Sequence, residues 1–271
     1  RQNKKEGCYM ITEENSIGKP LANATWLEKH HNAKIPERTK FAQRLIELHP
    51  HKIVDLGCAS GLWLALLNEI FPNECEFIGI DNDEQSLSIA KERSKLWNRN
   101  VSFLKLDIEK EVDQIPSADL ILAFNIFPYI DNLDLFIKSI FCKNKQGTLA
   151  IRQYDGASIR FGPMSTNERQ QIERDLRVAL ENNTNFRHYD MDRVYTAIHS
   201  SPYKNKTIEF ELFERTSPFD SKFIPYYTGT LNWTAQFLSE ASSIFFDKWM
   251  QEDPHFLNRY FYEVDLIALL S

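Results

Sequence analysis

The sequence predicts an α/β fold: a doubly wound, mostly parallel sheet of seven strands whose last strand is antiparallel. Three observations carry this. Short apolar, β-branched runs alternate with stretches of helical periodicity from residue 52 to 155. One of those runs, ADLILAFN (118–125), is apolar almost throughout, as a strand covered on both faces must be. In VDLGCASG (54–61) an apolar run enters a tight turn of small residues and leaves it as a helix.

In order, ATWLEKHHNAK (24–34) reads as a helix with Asn23 or Thr25 as its cap, and PERTKFAQRLIEL (36–48) as a second, with Phe41, Leu45 and Ile46 on one stripe. KIVDLG, CEFIGID, VSFLKLD, ADLILAFN and GTLAIRQYD are five strands. Between them GLWLALLNEIF, DEQSLSIAKERSKLW and NLDLFIKSIFCK are helices. Beyond residue 155 the alternation loosens. NERQQIERDLRVALENN is a charged helix, KTIEFELFER a strand, residues 232–250 helical and FYEVDLIALL a final strand. The stretch 156–255 is too long for one crossover. The predicted division is therefore cap helices at 1–37, a sheet core at 38–155, a helical, aromatic substrate lid that also holds one core strand at 156–255, and the last strand at 256–271.

The 271 residues, 42% of them apolar, suffice for a large core. A net charge of −6 and a pI near 5.7 argue against a life on nucleic-acid phosphates. Four scattered cysteines (Cys8, Cys58, Cys75, Cys142) form no CxxC pair and no zinc-ligand spacing, which points to a reduced, cytoplasmic protein without a metal site. No apolar run approaches the ~18 residues a membrane span needs. The N-terminal RQNKKEGCYM has no apolar signal core and no initiator Met, which suggests a trimmed chain.

In open parallel sheets, ligands bind beyond the carboxyl ends of the strands, so the turn after the first strand is the place to look. A dinucleotide fingerprint wants G-x-G-x-x-G. Here Gly57, Ala59 and Gly61 fall at i, i+2 and i+4, and no P-loop Lys follows. Small residues permit close backbone approach, but no phosphate cradle is built. Three consecutive strands end near acids: Asp55, Asp81 and Asp107. Such a set suits a ligand with hydroxyls, an exocyclic amine and a cationic amino group, and repels pyrophosphate. The turn thus points to a phosphate-free nucleoside.

VDLGCASG, FIGID, FLKLDI and LAFNIFPYI together resemble the successive motifs of class I S-adenosyl-L-methionine-dependent methyltransferases of the small-molecule type, over roughly residues 38–155. The first family motif is acid-x-Gly-x-Gly-x-Gly; Ala59 stands at its middle glycine. The resemblance implies a doubly wound sheet closed by an antiparallel pair and S-adenosyl-L-methionine as cofactor, with S-adenosyl-L-homocysteine as product and no metal. It implies that Gly57 and Ala59 let the backbone approach the methionine part, and that Asp55 organises the turn and the ammonium side. Asp81 would hold the ribose hydroxyls, and Asp107 with Ile108 would meet adenine. Asn125 and Ile126 would face the methyl. Cys58, Gly61 and Asn82 belong to the same set.

The acceptor is less legible. The segment Asn125-Ile126-Phe127-Pro128-Tyr129 departs from the Asn/Asp-Pro-Pro-Tyr/Phe of amine-methylating DNA and protein-glutamine members, so that amine-binding role is not carried over. Tyr154, Asp155, His199 and His31 are the candidate catalytic residues. Trp26, His30, Tyr129, Arg152, Tyr226 and Trp233 are the candidates for acceptor contact. FRHYDMDRV (186–194) reads best as a helix start capped by Asp190. FIPYYTGTLNW (223–233) reads as an aromatic loop able to wall a planar acceptor.

The leading expectation is methyl transfer to O or N of a small-molecule acceptor, by analogy a natural product, in a monomer or homodimer. Methylation of RNA or protein is a second reading, weakened because the lid's Arg160, Arg169, Arg174, Arg177 and Arg187 interleave with acids. A non-catalytic cofactor-binding module is a third. A dehydrogenase fits worse, because the glycine spacing is wrong.

Overall fold

The computed structural model describes residues 21–271. The N-terminal decapeptide and Cys8, on which the reading of redox and targeting drew, lie outside the described residues. Helix α1 (Ala24–Ala33) begins at Asn23, whose side chain accepts from Trp26 N at 2.9 Å. Helix α2 (Ile35–Ile46) follows at once, with Pro36 in its first turn where no donor is lost.

The sheet alternates β1 (Lys52–Leu56), α3 (Leu62–Asn68), β2 (Glu76–Asp81), α4 (Glu84–Ser94), β3 (Val101–Lys105), β4 (Leu120–Phe124), α5 (Leu133–Lys143) and β5 (Thr148–Tyr154). Strands β1 to β5 pair parallel in the order β3-β2-β1-β4-β5. Then come β6 (Arg160–Gly162), α6 (Thr166–Asn182), α7 (Met191–Ser200), β7 (Lys206–Thr216), α8 (Ile224–Ala235), α9 (Glu240–Glu252) and β8 (Tyr260–Leu270). Strand β8 runs antiparallel to β5 and β6 on one side, and to β7 along its whole length on the other.

Among the described residues, eight strands replace the seven expected. The addition is β6, whose three residues are too few to leave a period-2 signal. Residues 223–233 are not a loop: they enter α8, with Pro225 in its first turn. Their aromatic and β-branched composition is poor for an isolated helix, and packing overrides the propensity, burying Tyr226, Tyr227 and Leu231. The helical stretch 232–250 is two helices, α8 and α9, the second capped by Ser239.

Two apolar layers cover the sheet. On one face α5 and α7 lay Phe136, Ile137, Ile140, Val194 and Ile198 over Val54, Ile121 and Ile151. On the other, Phe41 and Leu45 of α2, Leu64 and Leu67 of α3 and Leu87 of α4 pack on Ile53, Phe77 and Leu122. A third cluster, mostly aromatic, joins α6, α8 and α9 to the N-terminal end of β8 through Phe161, Phe186, Phe223, Phe246 and Phe261. Trp249 and Phe246 thus belong to a core. Asp190 caps α7, as the sequence suggested.

A buried ionic cluster fastens the α1–α2 junction to the sheet. Lys34 pairs with Glu263 and Asp265, while Arg152 donates to Asp265 Oδ2 at 2.8 Å and Glu211 Oε2 at 2.5 Å. Lys34, Arg152, Glu263 and Asp265 are all at most 2% exposed. Charges at this depth are tolerable only because each meets an opposite one.

Candidate functional site

The site is built at the carboxyl tips of β1, β2 and β4. After Leu56 the chain turns through Gly57 (φ 68°), Ala59 (φ 45°) and Gly61 (φ 73°). A Cβ on Gly57 would lie 2.5 Å from Ile126 Cγ2, so only glycine fits against the β4 turn. The turn is tied down from both sides: Cys58 N donates to Ile80 O at 2.9 Å, and Ala59 N to Asp81 Oδ2 at 2.8 Å. Asp81 Oδ1 also accepts from Asp83 N at 3.0 Å, and Asp83 caps α4. Asp81 therefore shapes the turn as well as facing the cavity. Burial pushes its carboxyl up, against the pull of these backbone donors.

One cavity brings most of the predicted residues together. It is lined by Asp55, Gly57, Cys58, Ala59, Asp81, Asn82, Asp107, Ile108, Asn125 and Ile126. Gly61 does not line it; its left-handed backbone starts α3. Asp107 spends one oxygen on a local turn, accepting from Glu109 N at 3.1 Å and Lys110 N at 3.2 Å. Asn125 stands at φ 57° after β4, and its Oδ1 accepts from Tyr154 N at 3.4 Å.

Of the catalytic and acceptor candidates, Trp26, His30, Tyr129 and Tyr154 line the same cavity. Helix α1 supplies the first two. His30 stacks on Tyr226 (5.2 Å between centroids) and meets Tyr154 edge-on at 6.0 Å. Tyr226, Arg152, Trp233, His31, Asp155 and His199 do not line it. Tyr226 supports Trp26 and His30 from behind and donates to Glu263 Oε2 at 2.7 Å. Arg152 is spent on Asp265 and Glu211. Trp233 packs edge-on against Phe186 and Tyr189. His31 Nδ1 accepts from Arg38 Nη1 at 2.5 Å, and burial and the Arg38 charge push it down to about 3. Asp155 caps a short 3-10 turn, accepting from Ala157 N and the Ser158 hydroxyl. His199 lies exposed in the last turn of α7 against Tyr195.

Two buried polar atoms of the cavity wall have no hydrogen-bond partner among the described residues: Asp55 Oδ2 and Arg38 Nε. Asp55 is 2% exposed and Arg38 5%. Burial, then the Asp81 charge, push Asp55 up to about 8. Burial, then the Arg152 charge, push Arg38 down to about 9. A carboxylate oxygen without a donor and a guanidinium N–H without an acceptor in one wall complement a zwitterion: an ammonium for the first, a carboxylate for the second. The amino-acid head of S-adenosyl-L-methionine carries both, and the small-residue turn leaves room for its backbone-hugging part. The residues fit that group. Among the described residues, no group of three or more His, Cys, Asp or Glu could hold a metal ion. No helix among them is long and apolar enough to cross a membrane.

Arg38 was not singled out by sequence reasoning. Its signal was there: it shares a stripe with Phe41, Ala42 and Leu45, at i+3, i+4 and i+7, so a charge sits on the buried face of α2. Tyr189 also lines the cavity, bringing its hydroxyl 3.4 Å from that of Tyr129. Only the fold of residues 183–190 places it there. Trp63 and Glu109 join them without a motif to announce them, and Phe124 comes from the LAFNIFPYI stretch.

A family model described as a methyltransferase domain matches residues 49–213, more than half of the chain. Among curated proteins, trans-aconitate 2-methyltransferase of Acidovorax ebreus is 34% identical over 126 residues, covering 44% of this chain and 46% of that protein. Malonyl-[acyl-carrier protein] O-methyltransferase of Halalkalibacterium halodurans is 32% identical over 105 residues, covering 34% and 38%. The chain thus spans less than half the length of these relatives. The solved structure of the YcgJ protein from Bacillus subtilis overlays with a TM-score of 0.50 at 11% identity, covering 89% of this chain and 98% of that one, a likeness of fold.

Proposed function

The chain belongs to the methyltransferase domain family, of the class I, Rossmann-like type that uses S-adenosyl-L-methionine, and on that premise we propose that it methylates an oxygen or nitrogen of a small-molecule acceptor by in-line displacement. The observation that carries the reading is the pair of unpartnered polar atoms, Asp55 Oδ2 and Arg38 Nε, in the wall of the cavity at the strand tips. When bound, the cofactor supplies a methyl group activated by a sulfonium centre.

In this reading Asp55 holds the ammonium and Arg38 the carboxylate of the cofactor's amino-acid part, beside the Gly57–Ala59 turn. Asp81 and Asn82 hold the ribose, and Asp107 and Ile108 the adenine. Asn125 and Ile126 frame the reacting end. Trp26, His30, Tyr129, Tyr154 and Tyr189 wall the acceptor and exclude water from the displacement. Residues 156–255 act as the lid that completes this wall: Tyr189 lines it, and Tyr226 supports α1.

His30 makes a poor proton acceptor. Burial and then the charges of Lys34 and Arg38 hold it well below the usual histidine range. Burial likewise holds Tyr129 and Tyr154 well above the usual phenol range, so both stay protonated as donors. With His30 and both phenols ill-suited to take a proton, the favoured acceptor presents a lone pair that is already free, on a carboxylate or an uncharged nitrogen, rather than an alcohol. The relatives named for trans-aconitate and malonyl-[acyl-carrier protein] are consistent with a carboxylate.

The test is calorimetric binding of S-adenosyl-L-methionine and S-adenosyl-L-homocysteine to wild type and Arg38→Leu, then turnover against pools of small molecules, RNA and protein. Micromolar binding (about −8 kcal/mol) that Arg38→Leu weakens at least roughly tenfold, with S-adenosyl-L-homocysteine formed only from the small-molecule pool, supports the reading. Product formed from RNA or protein instead moves the acceptor to the second class. Binding without turnover in any pool leaves a non-catalytic module.

A further inference from the structure

Strand β7 is the outer edge of the sheet: its eleven residues pair only with β8, from Lys206↔Leu270 to Thr216↔Tyr260, among the described residues. A long free edge is a standing invitation to pair, and soluble proteins usually shorten, bulge or cover it. This one is full length, has no bulge in its register with β8, and carries apolar side chains in the open. Phe210 is 58% exposed and Leu212 51%. Tyr195 of α7, itself 39% exposed, stacks on Phe210 with ring centroids 6.4 Å apart.

The residues of this edge are self-complementary. Side chains alternate faces along a strand, so Lys206, Ile208, Phe210, Leu212 and Glu214 share one face. A second β7 laid antiparallel about a two-fold axis at Phe210 sets Phe210 against Phe210, Ile208 against Leu212 and Lys206 against Glu214. On this face every apolar residue meets an apolar one, and both charged pairs are of opposite sign. Moving the axis to Glu211 sets Ile208 against Glu214, and moving it to Leu212 sets Phe210 against Glu214, so neighbouring registers fit worse. On the other face Glu209 and Glu211 come opposite each other, but each is already bound to its own chain. Arg44 holds Glu209 through two bonds of 2.8 and 2.9 Å, and Arg152 holds Glu211. Lys206 is fixed at the edge, donating to His199 O at 2.7 Å and Ser201 O at 2.8 Å.

We propose that β7 is a homodimer interface, pairing antiparallel with β7 of a second copy about a two-fold axis at Phe210 to make one continuous sheet. Such an isologous contact closes on itself and consumes the free edge. Main-chain hydrogen bonds supply the affinity, and the apolar and charged pairs fix the register. No residue of β7 lines the strand-tip cavity, so the pairing draws on none of that site's residues.

Sedimentation equilibrium of the full chain over a concentration series tests this, with circular dichroism melts confirming that each variant is folded. Wild type is expected as a dimer. Phe210→Lys places two like charges on the axis and is expected to be monomeric. Glu214→Lys and Lys206→Glu each set like charges opposite one another, and each is expected to raise the dimer Kd by ~tenfold or more across its two symmetric pairs. Mixing those two variants restores opposite charges at both positions and is expected to give heterodimers of near wild-type affinity. A wild type that is monomeric throughout the series overturns the proposal. So does a dimer that neither Phe210→Lys nor the charge variants weaken, or a mixture that shows no preference for heterodimers.

Discussion

The Ala59 amide donates to Asp81 Oδ2 at 2.8 Å, so the acid at the tip of β2 holds the turn after β1 in the shape that opens the cavity. Removing the carboxylate takes away the proposed ribose contact and the support of the turn together. Asp81→Ala is expected to weaken S-adenosyl-L-methionine binding by roughly ten- to hundredfold, the worth of charged hydrogen bonds. Asp81→Asn keeps an acceptor for the Ala59 amide and is expected to fall between. Calorimetric titration of the three proteins checks the order.

Asp55 gives the site a pH dependence. Its carboxyl, pushed up to about 8 in the folded protein, sits near 3.9 in an unfolded chain. Between those values the folded state binds the extra proton, so this group's contribution to stability falls as pH rises from ~4 to ~8. An ammonium beside Asp55 needs the ionised form. Cofactor affinity is therefore expected to rise between pH 6 and 7.5, by up to about tenfold per unit, while an α-amino group (~7.7) remains charged. Asp55→Asn is expected to flatten that slope and to raise the melting temperature of the ligand-free protein at pH 7.5. Titrations and melts across the range read both.

The turn separates two positions that look alike in sequence. Gly57→Ala places a methyl 2.5 Å from Ile126 Cγ2 at φ 68° and is expected to cost at least ~1–2 kcal/mol from the left-handed backbone alone. Ala59 already occupies φ 45°, so Ala59→Gly relieves that strain and is expected to leave stability and cofactor affinity unchanged or slightly higher. Urea unfolding of both variants, with calorimetry, distinguishes them.

Lys34 neutralises Glu263 and Asp265 beneath α1. Lys34→Met leaves the buried Glu263 without a cation and Asp265 with Arg152 alone, and is expected to cost about 3–5 kcal/mol, the usual penalty for breaking a buried pair. Adding Glu263→Gln to that variant is expected to recover part of the loss. Chemical denaturation of the single and double variants measures the recovery.

His199 lies exposed at the end of α7 and outside the cavity wall. His199→Ala is expected to leave cofactor affinity and turnover unchanged, whereas a several-fold fall in kcat would place it in the reaction.

The parallel core was legible because its physics is local. Asp55, Asp81 and Asp107 end apolar runs of the right length, and the Gly57–Gly61 turn needs backbone angles that few residues adopt, so the succession of strands and the ligand end could be read from spacing. The three-residue β6 and helix α8 were not legible, since one is shorter than any period and the other is stabilised by what Tyr226 and Tyr227 pack against.

The sequence by itself determined the doubly wound sheet, the strand tips that carry the cavity and the acids that line it, because periodicity and turn chemistry act within a few residues. Tertiary structure decided which of the scattered polar residues face that cavity. Arg152 and Asp155 lie next to Tyr154 in the chain, yet their side chains are spent on Asp265 and Glu211 and on a local cap. Arg38 and Tyr189, 151 residues apart, line one cavity. The reason is that the burial of a charge and the partners left to it depend on every element packed around it, and no local pattern along the chain encodes that sum.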